Sequence, residues 1–385
     1  MEKVKIRSLR QAPLRKGTRV LVRADFDVSV RKGRIISDYR IKKILPTLAA
    51  ILKKGGLVRL VSHLGRPGGR KKAELSMRPV AKHLARLLKQ KIIFISDPFD
   101  RKLLKKYYDS PRIVFFENIR FWPGEEKNDR RLARGLARWG DIYVNESFAS
   151  SHRSHASMVS LPQILPSFAG LQLQTELRYL GVFLRRSPRP FVAVLGGIKL
   201  ETKLPLVRKF LTYADRILIG GAIANSIFRA KGLNTGKSLV EPFVDLEMLK
   251  SRKIFLPFDV AVSLAVETRG PRRITPLGGV RENEYIIDIG PESISKFISL
   301  LKGAKAIVWN GPLGHTPYFS GGTLRFARAL AKIKEFTVIG GGDTVAALER
   351  AGIAEKKFSH VSTGGGAMLE FLAGKKLPGI EVLKK

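Results

Sequence analysis

The sequence predicts an α/β protein built as two three-layer αβα domains with mostly parallel sheets. Strand-like and helix-like segments alternate from end to end, several strands are unbroken apolar runs, and 385 residues are long for a single core. Unbroken apolar runs are expected of strands whose sheet is covered by helices on both faces.

The first half reads as strands over 19–22, 57–61, 92–95, 113–116 and 141–144. The second half reads as strands over 191–195, 216–219, 253–256, 306–309, 336–339 and 359–361. Between the halves, residues 171–184 keep the apolar three-to-four spacing of a helix through Leu173, Leu177, Leu180 and Val182. The stretch Arg185-Arg186-Ser187-Pro188-Arg189-Pro190 then breaks it. The expected organisation is therefore a first domain over 1–170, an interdomain helix and linker over 171–190, and a second domain over 191–370. There is no internal repeat and no low-complexity tract.

Composition narrows the function classes. With no cysteine, thiolate nucleophiles, thiolate metal sites and disulfides are excluded. The start, Met1-Glu2-Lys3-Val4-Lys5, lacks a signal-peptide core, and no apolar run approaches the ~18 residues of a membrane span. A cytoplasmic protein without a membrane partner is expected. The formal charge is +39, from 71 Lys and Arg against 32 Asp and Glu. Such a field attracts polyanions in general. The basic residues are scattered, with no run longer than Arg70-Lys71-Lys72, so no specific nucleic-acid partner is expected.

Five strands of the second half run into glycine turns. These are Gly196-Gly197-Ile198-Lys199, Gly220-Gly221-Ala222, Asn310-Gly311-Pro312-Leu313-Gly314, Gly340-Gly341-Gly342-Asp343 and Thr363-Gly364-Gly365-Gly366. Strand C-termini of a parallel sheet share one edge, where ligands bind. Glycine lets backbone approach a ligand, and the following helix points free N–H groups at it. A phosphate-rich ligand is the natural occupant. Lys199 and Lys203, four apart, are expected to share a helix face and reach one polyphosphate, and Asp343 is a candidate Mg²⁺ ligand. The segment 232–238 is one residue short of a Walker A loop and follows a helix, so it is rejected; no dinucleotide-binding glycine fingerprint is present.

Strand ends of the first half carry cations instead. They lead into Asp25-Phe26-Asp27 with Arg40 beyond, Ser62-His63-Leu64-Gly65-Arg66, Glu117-Asn118-Ile119-Arg120 and His152-Arg153-Ser154-His155. Arginines at several strand ends suit a small carboxylate or phosphate, which the guanidinium fork grips bidentately.

Together the segments V-R-A-D-F-D-V (22–28), S-H-L-G-R-P (62–67), E-N-I-R-F (117–121), H-R-S-H-A-S (152–157), G-G-I-K-L-E-T-K (196–203), G-K-S-L-V-E (236–241), W-N-G-P-L-G (309–314), G-G-G-D-T (340–344) and S-T-G-G-G-A (362–367) resemble the phosphoglycerate kinase family over nearly the whole chain. The resemblance implies two Rossmann-like domains joined by an interdomain helix and hinge. It implies a monomer that transfers a phosphoryl group between 1,3-bisphosphoglycerate and ADP, giving 3-phosphoglycerate and ATP, with Mg²⁺. It places the glycerate at Asp25, Asp27, Arg40, His63, Leu64, Gly65, Arg66, Arg120 and Arg153. It places the nucleotide at Gly196, Gly197, Lys199, Lys203, Gly220, Gly221, Asn310, Pro312, Leu313, Gly340, Gly341, Gly342, Asp343 and Thr344. Arg40, Lys199 and the turn at Gly365 are the implied catalytic groups, Asp343 the implied metal ligand. The family's tail returns to the first domain, which implies the same for 371–385.

Three departures from the family pattern stand out. D-F-N-V-P becomes Asp25-Phe26-Asp27-Val28-Ser29, which sets an acid beside Asp25 and an anionic substrate. The loop Val144-Asn145-Glu146-Ser147-Phe148-Ala149-Ser150-Ser151-His152 lacks a family glycine, and no acid lies between Gly311 and Arg325 where a ribose partner is expected. These departures and the charge motivate one alternative: a diverged, weakly active homologue that binds polyanions or nucleic acid.

Overall fold

The computed structural model describes residues 6–185, 187–242, 245, 247–267, 271–315 and 317–384. The start 1–5, Arg186 of the expected linker and Thr316 of the loop after Gly314 lie outside the described residues. Among the described residues, no helix is long and apolar enough to cross a membrane.

The strands in chain order are β1 (Arg19–Ala24), β2 (Val30–Arg31), β3 (Arg34–Ile35), β4 (Leu57–Val61), β5 (Ile93–Ile95), β6 (Ile113–Phe116), β7 (Ile142–Glu146), β8 (Ser167–Ala169) and β9 (Phe191–Leu195). They continue as β10 (Arg216–Ile219), β11 (Ile254–Phe255), β12 (Asp259–Ser263), β13 (Arg273–Pro276), β14 (Tyr285–Ile289), β15 (Ala306–Asn310), β16 (Phe336–Gly340) and β17 (His360–Val361). Two compact units contain them, one of residues 1–178 with 376–385, the other of 179–375.

In the first unit, an all-parallel sheet has the order β5-β6-β4-β1-β7-β8. The run Arg19–Ala24 is buried almost throughout, yet its pleat sorts it: Val20, Val22 and Ala24 join the main core with Ile44, Leu48 and Val80. Leu21 and Arg23 therefore face the other way. The helix Leu171–Arg185 begins on this unit and is capped in trans. Glu146, at the end of β7, accepts from the N–H groups of Gln172 (3.0 Å) and Leu173 (2.9 Å) and from the Thr47 hydroxyl. Burial pushes the Glu146 carboxyl up to about 7. Glu146 thus has a visible task, the seating of this helix.

The last residues return to the same unit, from Lys376 rather than from 371, because the helix Gly366–Leu372 packs on the second unit against the helix Leu200–Tyr213. Asn145 Nδ2 donates to the Gly379 carbonyl (2.8 Å), and the Gly379 N–H donates to the Ser151 carbonyl (2.8 Å).

In the second unit, the parallel order is β11-β10-β9-β15-β16-β17. The chain winds one way from β9 and the other way from β15, so the switch point, where open sheets bind ligands, lies between those two strands. A separate antiparallel sheet, β13-β12-β14, and the small hairpin β2-β3 were not expected from the sequence; nor was the edge strand β8. The sequence signature relied on a strand followed by a turn and a helix. β12 and β13 are joined to their partners by loops instead, and nothing local announces their pairing.

Candidate active site

In the first unit the chain leaves β1 through Asp25, which is buried. Arg40, from the first turn of the helix Tyr39–Lys53, approaches it with Nη1 3.1 Å from Asp25 Oδ2. Burial raises the Asp25 pKa, Arg40 opposes this, and the neighbouring Asp27 pushes it further up. That is the like-charge cost expected of an acid at position 27. Asp27 Oδ1 accepts from the Gly65 N–H at 2.9 Å, and its Oδ2 lies 3.8 Å from His63 Nε2. Arg120 Nη1 donates to the Gly65 carbonyl at 2.8 Å. Gly65 takes a φ of +60°, which brings its N–H and C=O to these two side chains. The sequence candidates Asp25, Asp27, Arg40, His63, Gly65 and Arg120 are thereby brought together, while Arg66 and Arg153 are exposed at the rim.

One expectation about this edge needs correction. Leu64 belongs to the hydrophobic core, so its side chain is not available to a ligand; its carbonyl accepts from Asn118 Nδ2 at 2.7 Å. The histidines add no charge to this edge. Burial, with Arg23 and Arg120 adding to it, holds His63 well below the usual 6.5. Burial and Arg153 bring His152 to about 4, and burial and Arg120 bring His155 to about 3. The positive charge here is arginine charge, and His63 is a neutral imidazole.

In the second unit, the turns after β9 and β15 interlock. The Gly196 N–H donates to the Asn310 carbonyl (2.9 Å), Gly197 to Pro312 (2.8 Å) and Gly221 to Leu313 (3.1 Å). A Cβ on Gly196 would lie 2.2 Å from the Pro312 oxygen, and one on Gly311 would lie 2.1 Å from the Gly196 oxygen. Gly220 and Gly340 face side chains instead: a Cβ would lie 2.8 Å from Leu313 Cδ2 and 2.2 Å from the Met368 sulfur, respectively. Gly196 and Gly311 serve the approach of one turn to another, a packing role that the sequence reading did not assign to them. Thr344 is also spoken for: its hydroxyl accepts from the Gly311 N–H at 3.0 Å. Asn310 and Leu313 are buried beneath these turns.

What faces outward is a shorter set. Gly342 and Gly365 have open space where a Cβ would be, and Asp343, in the first turn of the helix Gly342–Arg350, is exposed. Lys199 and Lys203 do not share a helix face as expected. Lys199 is the extended N-cap residue of the helix Leu200–Tyr213 and is exposed, whereas Lys203 is buried with its Nζ tucked against Gly197. Burial draws the Lys203 amine down to about 8, against the pull of Asp343 and Glu241.

A cavity of about 350 Å³ opens at this switch point, between Gly197, Gly221, Pro312 and Asp343 on one side and Tyr285 and Asp288 of β14 on the other. Sequence reading missed Asp288. It is buried, with a carboxyl pushed up to about 7 by that burial, and its two oxygens accept from the N–H groups of Ile289 (2.9 Å) and Gly322 (2.8 Å). An acid inside the run Tyr285–Ile289 was the available signal. Another was missed in the first unit: Arg23, inside the apolar run of β1, is fully buried beside His63.

Each unit thus gathers polar groups at one sheet edge, the first by side chains and the second by backbone turns. A family model described as phosphoglycerate kinase matches residues 11–375. The chain belongs to the phosphoglycerate kinase family. It is 41% identical to a phosphoglycerate kinase from Thermomicrobium roseum, covering 95% of this chain and 96% of that one. It is 42% identical to one from Pelotomaculum thermopropionicum, over 96% of each. Among solved structures, phosphoglycerate kinase from Coxiella burnetii superposes with a TM-score of 0.81 at 35% identity, covering 98% of this chain and 99% of that one. The enzyme from Pyrococcus horikoshii OT3 gives 0.86 at 31% identity, covering 98% of each.

These relationships establish the phosphotransferase activity of phosphoglycerate kinase and the two-domain α/β fold, and they do not favour the polyanion-binding alternative. The charge is also shared unevenly. Residues 1–178 and 376–385 hold 42 Lys and Arg against 16 Asp and Glu, and residues 179–375 hold 29 against 16.

Proposed function

We propose that the enzyme holds 3-phosphoglycerate or 1,3-bisphosphoglycerate on the first unit and ADP or ATP on the second, as a cytoplasmic monomer without a specific nucleic-acid partner. The observation that carries this reading is the cluster of Asp25, Arg40, His63 and Arg120 over the C-terminal ends of β1, β4 and β6, the charge pattern a small phosphorylated carboxylate needs.

In the direction that consumes ATP, a γ-phosphorus–oxygen bond of ATP breaks as a carboxylate oxygen of 3-phosphoglycerate bonds to that phosphorus, leaving ADP; the reverse path forms ATP. Attacking group, travelling group and leaving group are all anionic, so the protein positions and neutralises and does no covalent work. Arg40 is held by Asp25, which fixes its direction and leaves the rest of the guanidinium for phosphoryl oxygens. Arg66 and Arg153, exposed and without carboxylate partners among the described residues, take the substrate phosphate with Arg120. Lys199 and Lys203 serve the nucleotide phosphates, and the open backbone at Gly342 and Gly365 adds N–H donors. Gly196, Gly197, Gly220, Gly221, Gly340, Gly341, Asn310, Pro312, Leu313 and Thr344 shape the turns behind them.

Asp343 suits Mg²⁺: it is one exposed carboxylate, and no cluster of three or more metal-ligating side chains exists among the described residues. That is the donor set of a metal held largely by phosphate oxygens and water. When bound, Mg²⁺ supplies charge neutralisation on the polyphosphate. Since donor and acceptor are assigned to separate units, transfer requires closure, which also excludes water from the reacting groups.

A coupled assay with 3-phosphoglycerate and MgATP, repeated with MgGTP, tests the proposal. Turnover is expected with at least one nucleotide, and its absence with every nucleoside triphosphate tried would sink the reading.

A further inference from the structure

Arg23 has no solvent exposure and no carboxylate in direct contact, an expensive placement for a guanidinium. Its nitrogens are all directed. Nε donates to Ser157 Oγ at 2.8 Å, Nη1 donates to the Ala24 carbonyl at 2.6 Å, and Nη2 faces His63 Nδ1 at 3.1 Å. Ser157 is itself clamped. Its hydroxyl donates to Glu125 Oε1 at 2.5 Å, its N–H donates to Glu125 Oε2 at 2.9 Å, and its carbonyl accepts from the Tyr143 hydroxyl at 2.9 Å. Ser157, Glu125 and Tyr143 are fully buried. The guanidinium is thus balanced through one bridging hydroxyl and held on two sides, with its third direction on the histidine.

A guanidinium has only N–H donors, so a ring nitrogen 3.1 Å away must present its lone pair. We propose that Arg23 is a positioning residue that locks His63 in the tautomer with its single proton on Nε2, the nitrogen on the Asp27 side. The role of that proton toward substrate rests on the reading of His63 as a substrate contact; the lock itself does not.

The consequence is a division of labour. Arg40, Arg120 and Arg23 surround the ring with positive charge, His155 adds none while neutral, and Asp27 is the one acid facing it, 3.8 Å from Nε2. Protonation at Nδ1 would set an N–H against Nη2 of Arg23, so the ring stays neutral and keeps one fixed donor direction. Charge comes from the arginines, and direction comes from His63. A free histidine would lose that fixed direction by tautomer exchange and gain charge near its ordinary 6.5.

The test is a long-range proton–nitrogen correlation spectrum of the full chain labelled with ¹⁵N-histidine, without substrate, from about pH 5 to about pH 8. His63 is expected to show a protonated Nε2 and a bare Nδ1 throughout. Arg23→Met is expected to release the ring, so that both tautomers appear and a titration emerges whose midpoint moves up toward 6.5. Arg23→Lys, again a donor only, is expected to restore the Nε2–H tautomer, which a merely structural role would not predict. A wild-type Nδ1–H tautomer, a wild-type titration near 6.5, or an Arg23→Met spectrum like wild type each overturns the lock. Should Arg23→Met not fold, Ser157→Ala removes the hydroxyl that holds Nε. An upward shift of the His63 midpoint then supports the lock, and an unchanged one counts against it. Loss of kinase turnover in the coupled assay would remove the functional reading and leave these spectra unaffected, so the two failures are distinguishable.

Discussion

The two sheet edges of this enzyme prepare for anions by opposite means. At β9 and β15 the turns themselves are the structure: Gly196 and Gly311 press backbone against backbone, and little charge is buried there beyond Lys203 and Asp288. At β1 and β4 the turns are ordinary, and the site is a packed set of ionisable side chains in which Arg23, Asp25, His63 and Arg120 are buried together. The difference teaches what each edge can tolerate. A backbone-built edge fails when a Cβ is added where two turns press together, and a charge-built edge fails when one of its arginine charges is removed.

The largest expected effect lies on the charged edge. Arg40→Ala is expected to lower turnover by on the order of 10³–10⁵ while MgATP affinity holds, measured by steady-state kinetics and nucleotide titration. A loss under about tenfold would break the assignment of Arg40 to the travelling phosphoryl group.

On the glycine edge the expectation reverses from catalysis to stability. Gly311→Ala combines a φ of +93° with a Cβ 2.1 Å from the Gly196 oxygen and is expected to cost about 2–4 kcal/mol in urea unfolding. Gly342→Ala adds its Cβ to open space at negative φ and should stay within about 0.5 kcal/mol of wild type. Equal losses from both would erase the distinction between glycines that pack turns and glycines that leave room.

A smaller effect follows from Lys203, whose amine is drawn down to about 8. It is charged below that pH and loses its proton above it, so polyphosphate affinity is expected to fall as pH rises through about 8. The fall should be about tenfold, in keeping with ~1.4 kcal/mol for one charge-assisted contact. Lys203→Arg keeps its charge and should flatten the profile of MgATP affinity between pH 7 and pH 9. A wild-type affinity that does not change over that range would separate Lys203 from the phosphates.

The smallest expected effect is a gain. Asp27→Asn removes the like charge beside Asp25 and keeps an acceptor for the Gly65 N–H, so the KM for 3-phosphoglycerate should fall by a few fold. A rise instead would mean that the Asp27 charge is needed, and that the neutral His63 is its partner.

Much of the fold was legible because its signals are local. An unbroken apolar run such as Phe191–Leu195, closed by two glycines and followed by a helix, announces its strand, its turn and its edge within a dozen or so residues. The antiparallel strands β12 to β14 carry no such sign. They pair residues far apart in sequence, such as Asp259 with Pro276 and Ser263 with Tyr285, and they built a cavity wall that the glycine turns alone did not suggest. In the site, types and order of residues were readable, but burial was not. Lys199 and Lys203 look alike in sequence, and only packing buries one and leaves the other in solvent.

The sequence by itself determined the alternation of strands and helices, the edge that the turns and charges mark, and the sign of the groups gathered there. These follow from periodicity, turn chemistry and charge, each readable over a few neighbouring residues. Tertiary structure alone decided which glycines serve other turns, which cation is buried, and that Glu125, Ser157 and Arg23, from three separate segments, form a relay that ends on His63. Those are matters of distance and desolvation between residues remote in the chain, and the energies that fix a proton or a charge depend on both.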